Sequence, residues 1–108
     1  MTQAQHARIR NLKKRLYILR YLREYRIATY KSLGEHSPHG KRLRQSLSTL
    51  YRAGVIGIDR NPYRTTTGEL IETAQRYYLC DVHDARRIID EGQKLLQKLE
   101  NVQEPDRS

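Results

Sequence analysis

Polar and basic side chains in the middle of the chain are spaced to lie on one side of a helix, where they could act as hydrogen-bond donors and acceptors. If Leu43, Leu47 and Leu50 point inward, at about 100° per residue, the opposite side and its margins carry no acidic residue. That side consists of Lys41, Arg42, Gln45, Ser48, Thr49 and Arg52. Lysine and arginine donate to guanine O6 and N7, and glutamine pairs with adenine N6 and N7. The pattern predicts a helix that lies in a DNA major groove; the alternative is an exposed helix face whose charges only confer solubility.

A second basic group, which includes an aromatic ring, lies at the tip of a predicted hairpin and consists of Arg60, Tyr63 and Arg64. Arginine at such a tip can enter a minor groove, where narrow A·T tracts concentrate negative potential. We expect this hairpin to contact DNA; the alternative is a solvated hairpin whose arginines only protect a strand edge. Two further contacts, to phosphates, are expected from Lys14 in a basic N-terminal helix and from His39.

The histidine and cysteine spacings permit a metal site but do not favour one. His36 and His39 form one possible ligand pair, and Cys80 and His83 form another; together they could complete a tetrahedral zinc site. The two pairs fall on different predicted elements, so we expect no bound metal and no cofactor. We also expect no catalytic residues, because no serine or cysteine has a paired base. Tyr63, the one candidate for a DNA-cleaving nucleophile, lacks a neighbouring histidine cluster.

Charge is distributed unevenly along the 108 residues. Residues 1–60 hold 14 Lys/Arg and 3 Asp/Glu, a net +11, whereas residues 61–108 hold 7 and 9, a net −2, and together these give +9. A basic half of this kind is the electrostatic pattern of a phosphate-binding surface. It favours a nucleic-acid-binding protein over a merely soluble basic domain or a ribosome-associated protein, and the helix pattern above makes double-stranded DNA the expected partner. The acidic C-terminal half leaves room for an additional protein partner.

The composition also limits the size of the hydrophobic core and indicates the cellular compartment. Hydrophobic residues make up 37% of the chain and Phe and Trp are absent, so the core is small and a second subunit would add stability. Cys80 is the single cysteine, which suits a reducing compartment. No apolar run approaches the roughly 20 residues that cross a bilayer, and the N-terminus lacks the apolar core of a signal peptide. We expect a cytoplasmic, nucleoid-associated protein with no membrane contact.

Three helices are predicted to position the basic residues. They are expected over Ile9–Tyr25, Tyr30–Glu35 and Pro38–Ala53. The Thr29 hydroxyl can cap the second helix, and Ser37 can cap the third. Pro38 suits the first position of that helix, and Gly54 suits the left-handed position that ends it.

A hairpin is predicted to follow from Val55 onward. Folding the chain about Thr67 and Gly68 gives arms of equal length and provides the glycine that a tight turn needs at positive φ. The expected pairs are Val55 with Cys80, Ile58 with Tyr77, and Arg60 with Gln75. Pro62 cannot donate to the ladder, so the hairpin should twist or bulge near it.

A last helix is predicted over residues 82–102, with Asp81 as its cap. Its apolar residues alternate at spacings of 3 and 4, which is the heptad pattern of helices that pair. The seam is formed by Ala85, Ile88, Gly92, Leu95, Leu99 and Val102, and it is broadened by Ile89 and Leu96. Two copies of the chain are expected to pair through Ile88, Gly92, Leu95, Leu99 and Val102.

Together these elements predict a mainly helical α+β fold, in which a helix-turn-helix is followed by a β-hairpin wing and a long C-terminal dimerisation helix. The expected organisation is a flexible N-terminus over residues 1–8, a DNA-binding domain over 9–80, the dimerisation helix over 81–102 and a disordered tail over 103–108.

The run L-x-x-x-L-x-x-L-x-x-A-G-V-I, here Leu43 to Ile56, resembles the stretch where the recognition helix meets the first wing strand in the winged-helix superfamily of small bacterial, archaeal and mobile-element regulators. The resemblance covers residues from about Ile9 to Leu79. The long helices at both ends resemble dimeric members, such as multiple-drug-resistance, arsenic-resistance and phenolic-acid regulators and plasmid centromere-binding adaptors. The resemblance implies a homodimer that binds a pseudo-palindromic operator. The chain departs from the metal-sensing members because it lacks a convincing set of metal ligands. It departs from the drug-sensing members because it lacks the Phe and Trp residues that line a drug pocket.

Three functions remain open from the sequence. A homodimeric transcriptional repressor that blocks polymerase is favoured, because the small size leaves no room for a separate effector domain. A plasmid or viral segregation or replication factor that binds iterated DNA sites is the second. A winged helix used for RNA or protein binding is the third.

Overall fold

The computed structural model describes the backbone of residues 2–40, 42–71 and 75–103, and the side chains of these residues as far as Asn101. Within them, four helices pack around a small antiparallel sheet, so the fold is α+β, as the sequence predicts. In chain order the elements are α1 (Gln3–Tyr25), β1 (Ile27–Thr29), α2 (Tyr30–Glu35), α3 (Arg44–Arg52), β2 (Ile56–Asp59), β3 (Tyr63–Arg64), β4 (Leu70–Ile71), β5 (Arg76–Leu79) and α4 (Val82–Gln103). The predicted contact residue Lys41, the side chain of Val102 and residues 104–108 of the predicted tail lie outside the described residues. Gln103, which we predicted to belong to the disordered tail, is the last residue of α4.

Helix α1 begins at Gln3, six residues before the predicted start at Ile9. The Thr2 hydroxyl accepts a hydrogen bond from the Gln5 backbone N–H at 3.2 Å, and the Gln5 side chain accepts one from the Thr2 N–H at 2.9 Å. This reciprocal capping box satisfies backbone donors that a helix end otherwise leaves without partners. Residues 3–8, which we predicted to be flexible, therefore belong to the first helix.

Helix α2 has the predicted bounds and the predicted cap. The Thr29 hydroxyl accepts a hydrogen bond from the Ser32 N–H at 3.1 Å, and the Ser32 hydroxyl accepts one from the Thr29 N–H at 3.0 Å. Strand β1, which precedes this helix, was not predicted. It has three residues, of which only Ala28 is buried, so its sequence carries no alternating apolar pattern.

Helix α3 begins at Arg44, six residues later than the predicted start at Pro38. Ser37 does act as an acceptor, but its hydroxyl accepts a hydrogen bond from the His39 N–H at 3.1 Å and closes a turn. Gly40 then adopts a left-handed backbone with φ +79°. The serine and proline therefore begin a loop instead of a helix, which corrects the predicted N-terminal part of the third helix.

The C-terminal end of α3 matches the prediction. Gly54 has φ +76°, its N–H donates to the Tyr51 carbonyl at 3.0 Å, and the Val55 N–H donates to the Leu50 carbonyl at 3.0 Å. These two bonds form a Schellman motif, which turns the chain directly into β2. At the other end of the helix, Leu43 occupies the N-cap position with a buried side chain and makes no side-chain hydrogen bond to the helix.

Strand β5 is the centre of the main sheet and pairs antiparallel with β1 on one side and β2 on the other. Ile58 lies opposite Tyr77, as predicted, and farther along the hairpin Tyr63 of β3 lies opposite Ile71 of β4. On the first arm of the hairpin Tyr63 lies five positions after Ile58, whereas on the second arm Tyr77 lies six positions after Ile71. The second arm of the hairpin therefore contains one extra residue.

The hairpin ladder is interrupted between β2 and β3, where Pro62 lies. This agrees with the expectation that a proline would disturb the pairing there. The predicted pair of Arg60 with Gln75 falls at the interruption and belongs to neither ladder.

Helix α1 contributes the largest share of the core. The fully buried large side chains are Leu16, Ile18, Leu19, Leu22, Leu33, Leu43, Ile56 and Ile89. Leu43, Leu47 and Leu50 are all buried, as the sequence predicts. The inward side of α3 is therefore fixed by packing, and its opposite side faces solvent.

Helix α4 begins after its predicted cap and packs antiparallel against α1. The Asp81 carboxylate accepts hydrogen bonds from the N–H groups of the first turn, the closest at 2.9 Å. A Cβ placed on Gly92 would lie 2.7 Å from Cδ2 of Leu16, so this glycine faces α1 of its own chain. Lys13 and Glu100 form an ion pair at 3.5 Å farther along. The expectation that Gly92 lies between two subunits is therefore corrected, because its small size allows the two helices of one chain to pack closely.

Candidate nucleic-acid interface

Helix α3 presents to solvent most of the side that the sequence predicts to contact DNA. Gln45, Thr49 and Arg52 are exposed, and Ser48 is half-buried. The Thr49 hydroxyl donates to the Gln45 carbonyl at 3.0 Å, which leaves its oxygen lone pairs to accept from an outside group. No acidic residue occurs between Arg44 and Arg52. This side of the helix can therefore approach a phosphate backbone without repulsion from its own carboxylates.

Three of the predicted contact residues come together although they are on separate segments. Lys14 of α1, Arg42 of the loop before α3 and Gln45 of α3 line one solvent-open cleft. The other residues that line this cleft are Asn11, Tyr30, Arg44 and Ser46. We call these seven residues the α1–α3 cleft.

Arg44 was missed by the sequence analysis. Its guanidinium carbon lies 5.4 Å from the centre of the Tyr30 ring, which is a cation–π distance. It also lines a neighbouring cleft with Lys31 and Gln75. Helical spacing does not identify Arg44, because this residue directly follows the inward-facing Leu43. The usable signal was its charge within a run of basic residues.

The hairpin presents two arginines at its surface and holds its tyrosine closer to the sheet. Arg60 and Arg64 are both exposed, and Nη1 of Arg64 donates to the Gly68 carbonyl at 3.1 Å within the turn. Tyr63 is half-buried, and its ring centre lies 4.1 Å from the guanidinium carbon of Arg76. The two arginines are thus placed to reach an outside phosphate, whereas Tyr63 already has an aromatic-cation partner within the chain.

Arg76 of β5 connects the inner and outer parts of the hairpin, and the sequence analysis did not single it out. Its Nη2 donates to Oδ2 of Asp59 at 3.1 Å and to the Asn61 carbonyl at 3.0 Å, and its side chain is 17% exposed. The guanidinium also lies against Tyr63. The predicted register already places Asp59 opposite Arg76, so the opposite charges across the two strands were the available signal.

His39 lies in the loop before α3, not on the helix where it was predicted. It is half-buried, with its ring centre 6.2 Å from that of Tyr17. Burial, together with the positive charges of Lys13 and Lys14, lowers the pKa of His39 below its ordinary value. In the free protein this imidazole is therefore neutral near pH 7, which makes it a weaker phosphate ligand than a protonated histidine.

A row of tyrosines on α1 holds this loop, and it too was missed. Tyr17, Tyr21 and Tyr25 are four residues apart; the first two ring centres are 6.1 Å apart and the second two are 4.6 Å apart. His36 stacks on Tyr21 at 6.1 Å, and the Tyr17 hydroxyl donates to the Leu33 carbonyl. The row therefore fixes the path of the chain between α2 and α3. The spacing of four residues was visible in the sequence.

The histidine and cysteine pairs lie in different parts of the fold. His36 and His39 contact the tyrosine row, whereas Cys80 and His83 lie where β5 leads into α4. Across residues 2–40, 42–71 and 75–103, no group of three or more His, Cys, Asp or Glu side chains could hold a metal ion. The two pairs do not combine into a four-ligand site.

The apolar seam of α4 is divided between the core and the surface. Ala85 and Ile89 are buried and Leu99 is half-buried, in each case packed within the chain. Ile88 is half-buried and also packs against the core of its own chain, whereas Leu95 is 37% exposed. An apolar margin of the helix thus remains uncovered in the single chain.

Comparison of the chain with protein-family models, with curated proteins and with solved structures gives no match. No helix in the described part of the chain has both the length and the apolar character needed to cross a bilayer.

Proposed function

We propose that this protein is a winged-helix protein that binds double-stranded DNA as a homodimer and represses transcription by occupying a promoter. The observation that carries the proposal is the solvent-facing side of α3, which combines arginine, glutamine and hydroxyl side chains and contains no carboxylate. An α-helix fits the major groove of B-form DNA, and these side-chain types are the ones that bind base edges and phosphates there.

The order of the elements supports this function. The Schellman motif at Gly54 joins α3 to β2 through three residues, so the hairpin begins directly beside the end of the helix. Arg60 and Arg64 on that hairpin supply positive charge next to the helix. In the proposed complex α3 lies in the major groove and these two arginines contact the flanking backbone or minor groove.

A second copy of the chain would double this surface. The exposed margin of α4, centred on Leu95, is the proposed contact between the two copies. Two α3 helices about one helical turn apart, roughly 34 Å, would contact two half-sites on one face of the duplex.

The experiment that tests this function measures binding to labelled nucleic acids of equal length by fluorescence anisotropy at several salt concentrations. A duplex DNA, its single strand and a double-stranded RNA are compared. We expect the tightest binding to duplex DNA, with an affinity that falls steeply as salt rises. Preference for either of the other two ligands, or for none, would contradict the proposal.

A further inference from the structure

We infer that the outward side of the sheet holds unpaired bases of a DNA strand in an open cleft of about 420 Å³, which lies beside the end of α1. The cleft is lined mainly by Tyr21, Tyr25, Ile27, Thr29, Tyr63 and Arg76, and we call it the tyrosine cleft. Ile27 and Thr29 lie on the side of β1 opposite the buried Ala28, and Thr29 pairs with Arg76 of β5. The choice of DNA as the ligand rests on the proposed function, whereas the chemistry of the cleft does not.

The tyrosine cleft presents an aromatic surface that the fold leaves open. Tyr25 is 62% exposed and Ile27 is 43% exposed. The centre of the Tyr25 ring lies 4.6 Å from that of Tyr21, so packing holds the ring in place although solvent reaches it. Tyr78, which lies opposite Ile27 on β5, is 40% exposed on the same side of the sheet. An uncovered surface of neighbouring large apolar side chains is typical of a binding site.

The surroundings of the tyrosine cleft are basic. Thr29 also lines a second cleft, which contains Lys31, Arg44 and Gln75, so the two clefts adjoin at this residue. Among the described residues, neither cleft is lined by a carboxylate. A ligand that matches both features carries negative charge together with flat apolar groups, and a nucleic-acid strand has this combination.

The aromatic surface selects an unpaired strand over a duplex. In a duplex the faces of the bases stack on one another, and a protein reaches only the base edges in the grooves. A tyrosine ring can stack on a base only where the strand is unpaired. Sites for single strands combine a positively charged groove with aromatic side chains on which the bases stack. An apolar protein partner would cover the rings but leave the neighbouring cations without counter-ions.

Arg76 adds a hydrogen-bond donor that has no acceptor within the chain. Its Nη2 donates to Asp59 and to the Asn61 carbonyl, and its guanidinium lies against the Tyr63 ring. Its Nε is buried and makes no hydrogen bond to any described residue. Buried N–H groups normally have a partner. The keto oxygens and ring nitrogens of bases are acceptors, and a base in the tyrosine cleft would bring one to this arginine.

A path leads from the tyrosine cleft toward α3. Tyr30 and Arg44 line both the second cleft and the α1–α3 cleft, which contains the predicted DNA contacts Lys14 and Gln45. A strand that separates from a duplex held at α3 can follow these cations to the tyrosine cleft. The ligand that fits best is therefore DNA in which an unpaired stretch adjoins a duplex.

The first test measures binding of a labelled thymidine strand of about ten nucleotides, a length typical of single-strand sites, by fluorescence anisotropy with the full chain. We expect saturating binding that Tyr25→Leu weakens about tenfold, the effect of losing one stacked base. Tyr25→Phe retains the ring and should bind as the unsubstituted chain does. Tyr51→Leu is the matched control, because Tyr51 is 48% exposed on α3 and lines neither the tyrosine cleft nor the second cleft. No saturating binding, or equal affinities of Tyr25→Leu and Tyr51→Leu, would overturn the inference.

A second measurement needs no substitution. In the ¹⁵N-labelled unsubstituted chain, the amide signals of residues 25–29 should shift and saturate as the thymidine strand is added. Saturating shifts confined to other parts of the chain would place the strand elsewhere and overturn the inference.

The assignment to DNA beside a duplex has its own test. A duplex with an unpaired thymidine tail should bind more tightly than the blunt duplex, and Tyr25→Leu should remove this difference without changing the affinity for the blunt duplex. A tail that adds no affinity would overturn the assignment. Tighter binding of a uridine RNA strand than of the thymidine strand would also overturn it, in favour of RNA.

The two proposals fail differently. If the thymidine strand binds in a manner that depends on Tyr25 but the blunt duplex does not bind, the tyrosine cleft is a single-strand site and the proposed function is wrong. If the blunt duplex binds but neither the thymidine strand nor the tail responds to Tyr25→Leu, the proposed function stands and the inference about the tyrosine cleft is wrong.

Discussion

The solvent-facing side of α3 carries one amide among its basic and hydroxyl groups, and that amide belongs to Gln45. A glutamine in a major groove can pair with adenine N6 and N7, which distinguishes one base from the others. Where the arginines contact phosphates, we expect no dependence on sequence, because the phosphate backbone is the same at every base pair.

Gln45→Ala is therefore expected to relax specificity at one base position by about 1–3 kcal/mol, with little change in affinity for scrambled DNA. The measurement compares anisotropy titrations on the selected site, on each single-base variant of it and on a scrambled site. Gln97→Ala, on the exposed side of α4, is the matched control. An equal loss on selected and scrambled DNA would show that Gln45 does not contact a base.

The lowered pKa of His39 predicts a dependence of stability on pH. Burial and the neighbouring Lys13 and Lys14 disfavour its protonated form in the folded state. Below the ordinary pKa of 6.5 the unfolded chain therefore binds more protons than the folded one, and stability falls as the pH decreases until the folded-state pKa is passed. The effect is small because the ring is only half-buried.

Urea unfolding of the unsubstituted chain and of His39→Gln at pH 7.5 and pH 5 tests this expectation. The unsubstituted chain should lose more stability between the two pH values than the variant. An identical loss in both would show that His39 is protonated equally in the folded and unfolded chain.

At the scale of elements, the sequence predictions are correct where the determining residues are close together in the sequence. The cap at Thr29, the C-terminal glycine at Gly54 and the inner part of the hairpin register were predicted correctly, because each depends on residues close in sequence or on one symmetric fold of the chain. The outer part of the register was predicted wrongly, since Tyr63 and Arg64 pair one residue away from the partners that arms of equal length would give. The start of α3 was predicted wrongly, because Ser37 followed by Pro38 is also a sequence that suits the start of a helix. Gly40 adopts a positive φ, and His39 beside it packs against Tyr17 of α1; neither feature has a signal in the local sequence.

Only part of the candidate site was predicted from the sequence. Side chains on the middle of α3 were identified by helical spacing around Leu47. Asn11, Tyr30 and Arg44 were not, because they come together only when α1 packs beside the start of α3. No regular spacing in the sequence connects positions on three separate segments.

The Arg76 contacts predict that the hairpin depends on one side chain. Arg76→Met should lower the free energy of unfolding by about 1–3 kcal/mol, because it removes the charged partner of the partly buried Asp59 carboxylate and leaves that carboxylate only the Asn61 N–H. It should also speed amide exchange in residues 63–71. Chemical denaturation and hydrogen exchange provide the two measurements.

Arg60→Met is the matched control, because Arg60 is exposed on the same hairpin. Its effect on the free energy of unfolding should stay within about 0.5 kcal/mol. Equal effects of the two substitutions would show that the Arg76 contacts do not hold the hairpin.

At the scale of the whole molecule, the proposed homodimer depends on the exposed margin of α4. Leu95→Asp places a charge on that margin and should convert the dimer into a monomer that is still folded, because Leu95 is 37% exposed in the single chain. Sedimentation equilibrium measures the mass and circular dichroism checks the fold. Gln97→Asp adds the same charge on an exposed position of the same helix and should leave the dimer intact. A dimer that survives Leu95→Asp would place the contact elsewhere, with α1 as the next candidate.

Sequence-specific binding of duplex DNA by a dimer is the central claim, and selection of bound duplexes from a random library followed by mass measurement of the complex tests it most directly. We expect enrichment of an inverted repeat whose half-sites are about one helical turn apart, bound by two copies of the chain. Tandem repeats covered by many copies would instead indicate a segregation or replication factor. No enriched sequence would contradict the account, because the solvent-facing side of α3 would then not contact bases.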